Sequence, residues 1–570
     1  MQKIWKLKEN VSAEDLKVYE NLPSVLAKIL YNRKIRDEEA VKEFLDPKYE
    51  GLNAPFLFLD MEKAVNRIWK AIELGEKICI YGDYDADAVT ANAVLRLAFK
   101  ELGANVYSYI PDRFTEGYGV NLDAVLKIKE SGTKIIITVD CGTNSCDVAD
   151  WCLENGVDFI ITDHHEIIGP TPQAFALINP KNPSDTYPYR DITGVGVAFK
   201  LASAVLQNLK SEILNPKLKP GWEKWLLDLV AIGTVADCHE LLGENRILVK
   251  YGLKVLEKTK WQGLKALCNK AGLDFKTKKP DAYTLGFVLA PRLNAAGRLE
   301  HADVALGVLL EEDPIAAGEK AEYLETVNKR RQELTERIMS EAREEAQKIA
   351  DRNFLVLMGE GWSKGVVGLA AGKIAEEFNK PTIVLSKEGD YATGSARTVG
   401  EFSIIDALKY ASENLVRFGG HKQAAGLTLH AGNFENFYLK VLEFTKSNLR
   451  PDDLIASVEI EAELLVSELD LYTASALMIL EPYGVGNPAP KFLIRDLDVV
   501  SHKIVGQGSK HVQLQLQKEN KTFSAIGFNM GSKIANILNG SKVQAVCELL
   551  EDSWNGQKKL KLKILDIKIQ

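Results

Sequence analysis

Residues 77–87 read KICIYGDYDAD, an apolar run of strand character that closes on three aspartates at alternate positions, Asp83, Asp85 and Asp87. The sequence on either side repeats the rhythm. MEKAVNRIWKAIELG (61–75) and ANAVLRLAFKELG (91–103) have helical apolar spacing. ANVYSYI (104–110), KIIITVD (134–140) and VDFIITD (157–163) are further short apolar strands, separated by helical segments at 121–132 and near 146–155. Strands without a polar face, alternating with helices, predict an α/β domain on a parallel sheet covered on both sides. In such a sheet ligands gather at the carboxyl ends of the strands.

Chemistry-bearing side chains fall at those ends. Asp83, Asp85 and Asp87 follow the strand at 77–82, and Asp140 closes the strand at 134–139. Asp163, His164 and His165 close the strand at 157–162, and Asp237 ends the apolar segment in IGTVADC. Any one such Asp reads as a helix N-cap or turn former. Four clusters at successive element ends read poorly that way, because they converge on one edge, where five or more carboxylates repel and raise one another's pKa. A divalent cation removes that penalty. Aspartate oxygens with an imidazole suit Mn²⁺ or Mg²⁺, and two such ions would activate a water and stabilise the leaving oxygen of a phosphate ester.

The rest of the chain fits several domains. At roughly 150 residues per domain, 570 residues predict three or four. With 46% hydrophobic and 26% charged residues the chain is not disordered, collagenous or a disulfide-stapled miniature. No run of 18 apolar residues suggests a membrane span, and the start MQKIWKLKENVSAEDL turns charged before a signal peptide's apolar core could form. The seven cysteines (79, 141, 146, 152, 238, 268, 547) lack paired zinc spacing and read as reduced thiols of a cytoplasmic protein. A net charge of -8 leaves nucleic-acid binding to local cationic tracks. The expected organisation is an N-terminal extension packing on the catalytic domain (1–60), a catalytic α/β domain (61–310) and a long connecting helix (311–352) whose charges form a solvated face. A second α/β domain (353–454) and a C-terminal β domain (455–570), a small barrel or sandwich, complete it.

The ordered set DYDADA, VDCGT, TDHH and VADC resembles motifs I to IV of the DHH phosphoesterases. PRLNAAGRL (291–299), GSART (394–398), FGGHKQAAGLTL (418–429) and EPYGVGNPAP (481–490) narrow the resemblance to the RecJ-type single-strand-specific exonucleases of that family. It implies a DHH domain, a DHHA1 domain after the long helix, and a C-terminal domain similar to an oligonucleotide-binding (OB) fold. It implies that Asp85, Asp87, Asp140, His164 and Asp237 ligate two metals, Mn²⁺ first and Mg²⁺ as the alternative, with Asp140 bridging. Asp83 and His165 would lie in or beside the same shell, and His421 would face the cleft near the scissile phosphate. Arg113, Ser395 and Arg397 look like a pocket for a 5′-terminal phosphate, with Asn294, Arg298, Gly419 and Gly420 also facing substrate. The implied activity is 5′→3′ digestion of single-stranded DNA to 5′-mononucleotides in repair and recombination. The implied enzyme is a monomer with no membrane attachment, with a helicase or single-strand-binding protein as a further partner.

Plainer readings stand beside these. Arg113 could pair with Glu116, Ser395 and Arg397 could complete a turn, and Gly419 and Gly420 suit any tight turn. Lys276, Lys278 and Lys279, like Lys559, Lys561 and Lys563, read as solvated faces somewhat better than as DNA tracks. Two positions depart from the family pattern: Ala88 stands where glycine is usual, and Ser363 in WSKGVVG (362–368) where His is frequent. The rival functions are a phosphoesterase for small nucleotides or short RNA and a catalytically silent DNA-binding scaffold. The intact ligand set argues against the scaffold, and the β domain against the small substrate.

Overall fold

The run at 77–82 is strand β1 (Ile78–Gly82), buried along its whole length inside a five-stranded, all-parallel sheet. Val106–Tyr109 (β2) pairs on one side of it, and Ile135–Val139 (β3), Asp158–Thr162 (β4) and Ala176–Ile178 (β5) follow on the other, giving the order β2-β1-β3-β4-β5. Helices Ala86–Glu101 (α1), Gly194–Gln207 (α2) and Leu227–Ala236 (α3) share one large core with Ile80, Ile137 and Ile160. Ile136, Phe159 and Ile161 pack with Val125, Val148 and Cys152 in a separate core on the other face. Burial on both sides explains why these strands carry no polar alternation. The chain leaves β1 for β2 and returns to β3 on the opposite flank, so the crevice at the carboxyl ends of β1 and β3 is a topological switch point. Asp83 and Asp140 stand there.

The computed structural model describes residues 3–9, 11–12, 14–207, 218–534, 537–554 and 557–570. The chain divides into two units, 49–454 and 1–48 with 455–570. In the larger unit the sheet domain continues through Ala290–Leu299 (α4) into Pro314–Lys348 (α5), a 35-residue helix started by Asp313, whose carboxylate accepts from the amides of Ile315 and Ala316. The helix is more than a spacer. Ala321 and Leu324 are buried in the first domain's core, and Ile338, Ala342 and Ala346 in a core of the next. That next domain has Leu355–Glu360 (β6), Val367–Phe378 (α6), Thr382–Glu388 (β7), Tyr391–Arg397 (β8), Arg417–Gly420 (β9) and Ala424–His430 (β10), in the order β9-β10-β8-β7-β6. Only β6 and β7 pair in parallel, because the short turn after β7 cannot make a crossover.

In the smaller unit, Phe492–Val505, His511–Lys518, Lys521–Gly527, Gln557–Ile569 and Lys542–Trp554 close into a five-stranded barrel. Three of its strands reach 13 or 14 residues, longer than the short segments expected. Lys561 and Lys563 pair with Asp552 and Glu548 at 2.9 Å, as befits a solvated strand face. Asn487 of the EPYGVGNPAP motif is buried and donates to the carbonyls of Leu480 and Pro482. Residues 1–48 group with this unit, where Ile4–Leu7 adds in parallel to Ser457–Ile460. Among the described residues no helix is long and apolar enough to cross a membrane.

Leu324 is fully buried where α5 meets the first domain. Leu324→Ala is expected to cost about 2–5 kcal/mol, read as a lower denaturant midpoint for the unfolding of that domain.

Candidate metal centre

Asp85 is the N-cap of α1, its carboxylate accepting from the Ala88 amide at 3.1 Å. Asp87 lies in the first turn of α1, and its two oxygens accept from the amides of Gly194 and Val195, at the amino end of α2, at 2.8 and 3.0 Å. Ala88 is an ordinary helical residue, so its methyl group carries no conformational penalty at the position where glycine is usual. Asn294 of α4 braces the same loop, its Oδ1 accepting from the Ala86 amide at 3.0 Å.

Asp140 leaves β3 with φ at 58°, a left-handed turn that Asp tolerates better than most residues. A Cβ on Gly194 would fall 2.6 Å from the Asp140 Cβ, and one on Gly233 of α3 2.8 Å from Asp87 Oδ1. Glycine at these two positions is what lets α2 and α3 close on the carboxylates. Asp237 is the C-cap of α3 and so arrives from a helix end, not a strand end. The segment's wholly apolar composition is that of a helix buried on all sides.

His164 Nε2 lies 2.9 Å from Asp140 Oδ1 and 3.6 Å from Asp237 Oδ2. Neighbouring Asp163 has an orienting role. It accepts from the amides of Thr143, His164 and His165 and, at 2.7 Å, from His165 Nδ1. Tyr118 OH stands 3.2 Å from His165 Nε2.

Burial first, and then repulsion from Asp237 and Asp85, pushes Asp87 well above the usual carboxylate range. Asp140 is raised by burial and by Asp87, Asp85 and Asp237, and Asp85 by burial and Asp237. Burial and Asp85 lift Asp83 to about 8. Burial first, with His165 and His239 adding to it, drives His164 down to about 4 against the pull of Asp237 and Asp163. His165 resists the same burial through its bond to Asp163 and is held at about 9. Oxygens of Asp83, Asp140 and Asp237 and both ring nitrogens of His164 are buried without a hydrogen-bond partner. Buried polar atoms are rarely left so. Unpaired oxygens and an unprotonated imidazole facing one another are the donor set a divalent cation would satisfy, and the residues present fit one.

A cationic group adjoins this anionic one. Arg113 lies over the Tyr84 ring, 4.8 Å from its centroid, while Glu116 is occupied by Tyr109 and the Asp112 amide, so the Arg113–Glu116 reading does not hold. Burial, and then repulsion from Arg113, Arg331 and Arg397, lowers Arg298 to about 10. Ser395 and Arg397, two apart on β8, share a face, and both approach the amino end of α6. A Cβ at Gly368 would meet Ser395 Oγ at 3.1 Å and Arg397 Nη2 at 3.4 Å. Guanidinium groups, a hydroxyl and a helix amino terminus together form a receptor for a doubly charged anion.

His421, Gly419 and Gly420 sit elsewhere, at the exposed β9–β10 turn, where the His421 amide donates to Ala424 O at 2.9 Å. Gly420 is needed for the turn itself, with φ at 144° and a Cβ position 2.4 Å from Ala424 O. Sequence reasoning missed two residues. Arg331 was hidden among the charges of the long helix, in KRRQE. His239, two residues after Asp237, brings Nε2 to 3.1 Å from Asp237 Oδ2, and the run ADCHE was its only signal.

Comparison with known proteins gives three family matches: the DHH family N-terminal domain over 77–234, the DHHA1 domain over 351–447 and the RecJ OB domain over 460–566. The single-stranded-DNA-specific exonuclease RecJ of Bacillus subtilis (strain 168) is 38% identical over 549 residues, 96% of this chain and 68% of the relative. The protein of the same name from Dickeya dadantii (strain 3937) is 30% identical over 583 residues, covering 99% of each chain. The crystal structure of RecJ in complex with Mn²⁺ from Thermus thermophilus matches with a TM-score of 0.84 at 28% identity, over 99% of this chain and 79% of that one. A shared fold, three domains matched in order and identity over nearly the full length place this chain in the RecJ single-stranded-DNA-specific exonuclease family.

Proposed function

We propose that this chain is a metal-dependent exonuclease that digests single-stranded DNA from the 5′ end to 5′-mononucleotides, in repair and recombination. The observation that carries the reading is the pairing of two unsatisfied clusters: buried, unpaired oxygens and imidazole nitrogens at Asp140, His164 and Asp237, beside guanidinium groups that repel one another at Arg298. A polynucleotide end with its counter-cations relieves both. Asp85, Asp87, Asp140, His164 and Asp237 would hold two divalent cations, Mn²⁺ or Mg²⁺. Bound there, the cations supply an acidified water and charge neutralisation at the leaving oxygen of a phosphodiester.

The remaining steps belong to the protein. Arg113, Arg298, Arg397 and Ser395 would bind the terminal phosphate, the first held flat by the Tyr84 ring. Asp163 accepts a hydrogen bond from His165 Nδ1 and holds the ring protonated, so that Nε2–H would donate to the scissile phosphate. Asp83 tightens the anionic shell, and Asn294 fixes the loop that carries it. His421 and Gly419 would border the strand from the second domain. Anchoring the end in one cluster and cutting at the other releases one nucleotide per cycle. The barrel suits a further grip on single strands by charge and stacking. Seven free thiols suit a cytoplasmic setting, where the enzyme would work as a monomer with a helicase or single-strand-binding protein.

The test is a digestion time course on 5′- and 3′-labelled single and double strands, with Mn²⁺ or Mg²⁺ and with a 5′-phosphate or 5′-hydroxyl. Early release of the 5′ label from single strands, faster with the phosphate, is expected; preference for the 3′ end or for a dinucleotide would overturn the reading. Asp140→Ala is expected to abolish cleavage while binding of a single strand stays measurable. Gly194→Ala, which sets a methyl group against Asp140, should slow cleavage by about 100-fold at unchanged affinity for the 5′ end. Arg397→Ala should remove the advantage of the 5′-phosphate and leave the slower hydrolysis of 5′-hydroxyl strands.

A further inference from the structure

We propose that His239 is a direct ligand of the cation pair, additional to the four aspartates and His164, and that its imidazole biases the site toward Mn²⁺ over Mg²⁺. The inference rests on the two-cation reading above. After α3 the chain turns through Cys238 with φ at 59°, and this fold-back returns His239 to the cluster. Its Nε2 reaches 3.1 Å from Asp237 Oδ2, its ring centroid lies 4.9 Å from that of His164, and the donor atoms of His164, Asp237 and His239 all lie within 4.8 Å of one another.

The other ring nitrogen decides what Nε2 can do. His239 Nδ1 is 3.1 Å from the carbonyl oxygen of Asp191 and 3.4 Å from that residue's carboxylate. A carbonyl only accepts, so Nδ1 carries a proton and in the neutral ring Nε2 keeps a free lone pair. Metal-ligating histidines are held in this way, by an acceptor behind the ring. Asn245 Nδ2 donates to the same carbonyl at 2.8 Å and fixes its position. In front of the ring, Asp237 Oδ2 is buried without a hydrogen-bond partner, although Nε2 is 3.1 Å away. Two ligands at about 2.1 Å from one cation and at right angles to each other stand about 3 Å apart. The contact has the length of such an edge, as does the 2.9 Å between His164 Nε2 and Asp140 Oδ1. A second imidazole in an otherwise oxygen-rich site favours Mn²⁺, because Mg²⁺ takes nitrogen ligands poorly.

The competing role is positioning, with His239 donating to Asp237 from a protonated ring. Two variants of the full-length protein separate the roles. His239→Val removes both functions, whereas His239→Gln keeps an amide donor for Asp237 but ligates metal poorly. Free Mn²⁺ is followed by its electron paramagnetic resonance signal during titration, and Mg²⁺ binding by calorimetry, with metal-free melting temperature as the control for folding. Wild type is expected to bind two Mn²⁺. Both variants should bind one of them at least about 10-fold more weakly, with a smaller change for Mg²⁺. Wild-type Mn²⁺ affinity in His239→Gln would overturn the proposal in favour of positioning, and equal losses for both metals would overturn the bias. If His239→Val does not fold, His239→Gln carries the test alone. Failure of wild type to bind two Mn²⁺ would instead overturn the cation reading.

Discussion

Carboxylates that the fold forces together in a dry crevice govern the rest of the structure. Asp85, Asp87 and Asp140 are each raised by burial and by repulsion from neighbouring carboxylates, Asp237 among them, whereas, despite burial, His239 and His164 hold Asp237 itself below the usual carboxylate range. An unpaired buried charge costs several kcal/mol even after relaxation, so an arrangement of this kind persists only if something else holds it or a counterion relieves it. Both conditions operate. The amides at the amino end of α2 satisfy Asp87, the first turn of α1 satisfies Asp85, and the oxygens left over face one another around a space suited to cations. Glycine at 194 and 233 lets α2 and α3 close on these carboxylates where a Cβ would collide with Asp140 and Asp87.

The two helix ends at the site have opposite electrostatic senses. The amino end of α2 carries partial positive charge and suits Asp87, whereas the carboxyl end of α3 carries partial negative charge and bears Asp237. Asp237 therefore gains least from its own helix and most from a cation or an imidazole. Both imidazoles near it, His164 and His239, lie on that side. Imidazole nitrogens therefore gather at the Asp237 end of the cluster and carboxylate oxygens at the Asp85–Asp87 end.

Much of this was legible in the sequence, for physical reasons. Wholly apolar five-residue strands are an unambiguous signal when both faces are covered, and the Asp-rich ends that follow them inherit their positions from the topology. Asp237 lies at the end of a segment legible as part of a helical region, and Leu227–Ala236 is a helix. The pairing of Ile4–Leu7 with Ser457–Ile460 spans most of the chain, and a four-residue strand carries too little pattern to announce a distant partner. Arg331 and His239 escaped for another reason. A charge on a long amphipathic helix and a lone histidine after a motif are both commoner as solvent-facing residues than as parts of a site, and only their neighbours in space distinguish them.

The helix α4, encoded by PRLNAAGRL, ties the two charge clusters together mechanically. Asn294 holds the Ala86 amide of the aspartate loop, and Gly297 packs so closely on the Tyr84 carbonyl that a Cβ would lie 2.4 Å from it. One residue later Arg298 donates to Gly365 O at 3.1 Å, and a Cβ on Gly365 would fall 2.0 Å from the Arg298 carbonyl oxygen. A single turn of helix thus touches the loop that carries two of the proposed cation ligands at one end and the second domain at the other. The distance between the anchored 5′ phosphate and the bond to be cut would be set by that turn rather than by a flexible linker. A spacing fixed in this way is what an enzyme needs if it is to measure off one nucleotide at a time without reading its base.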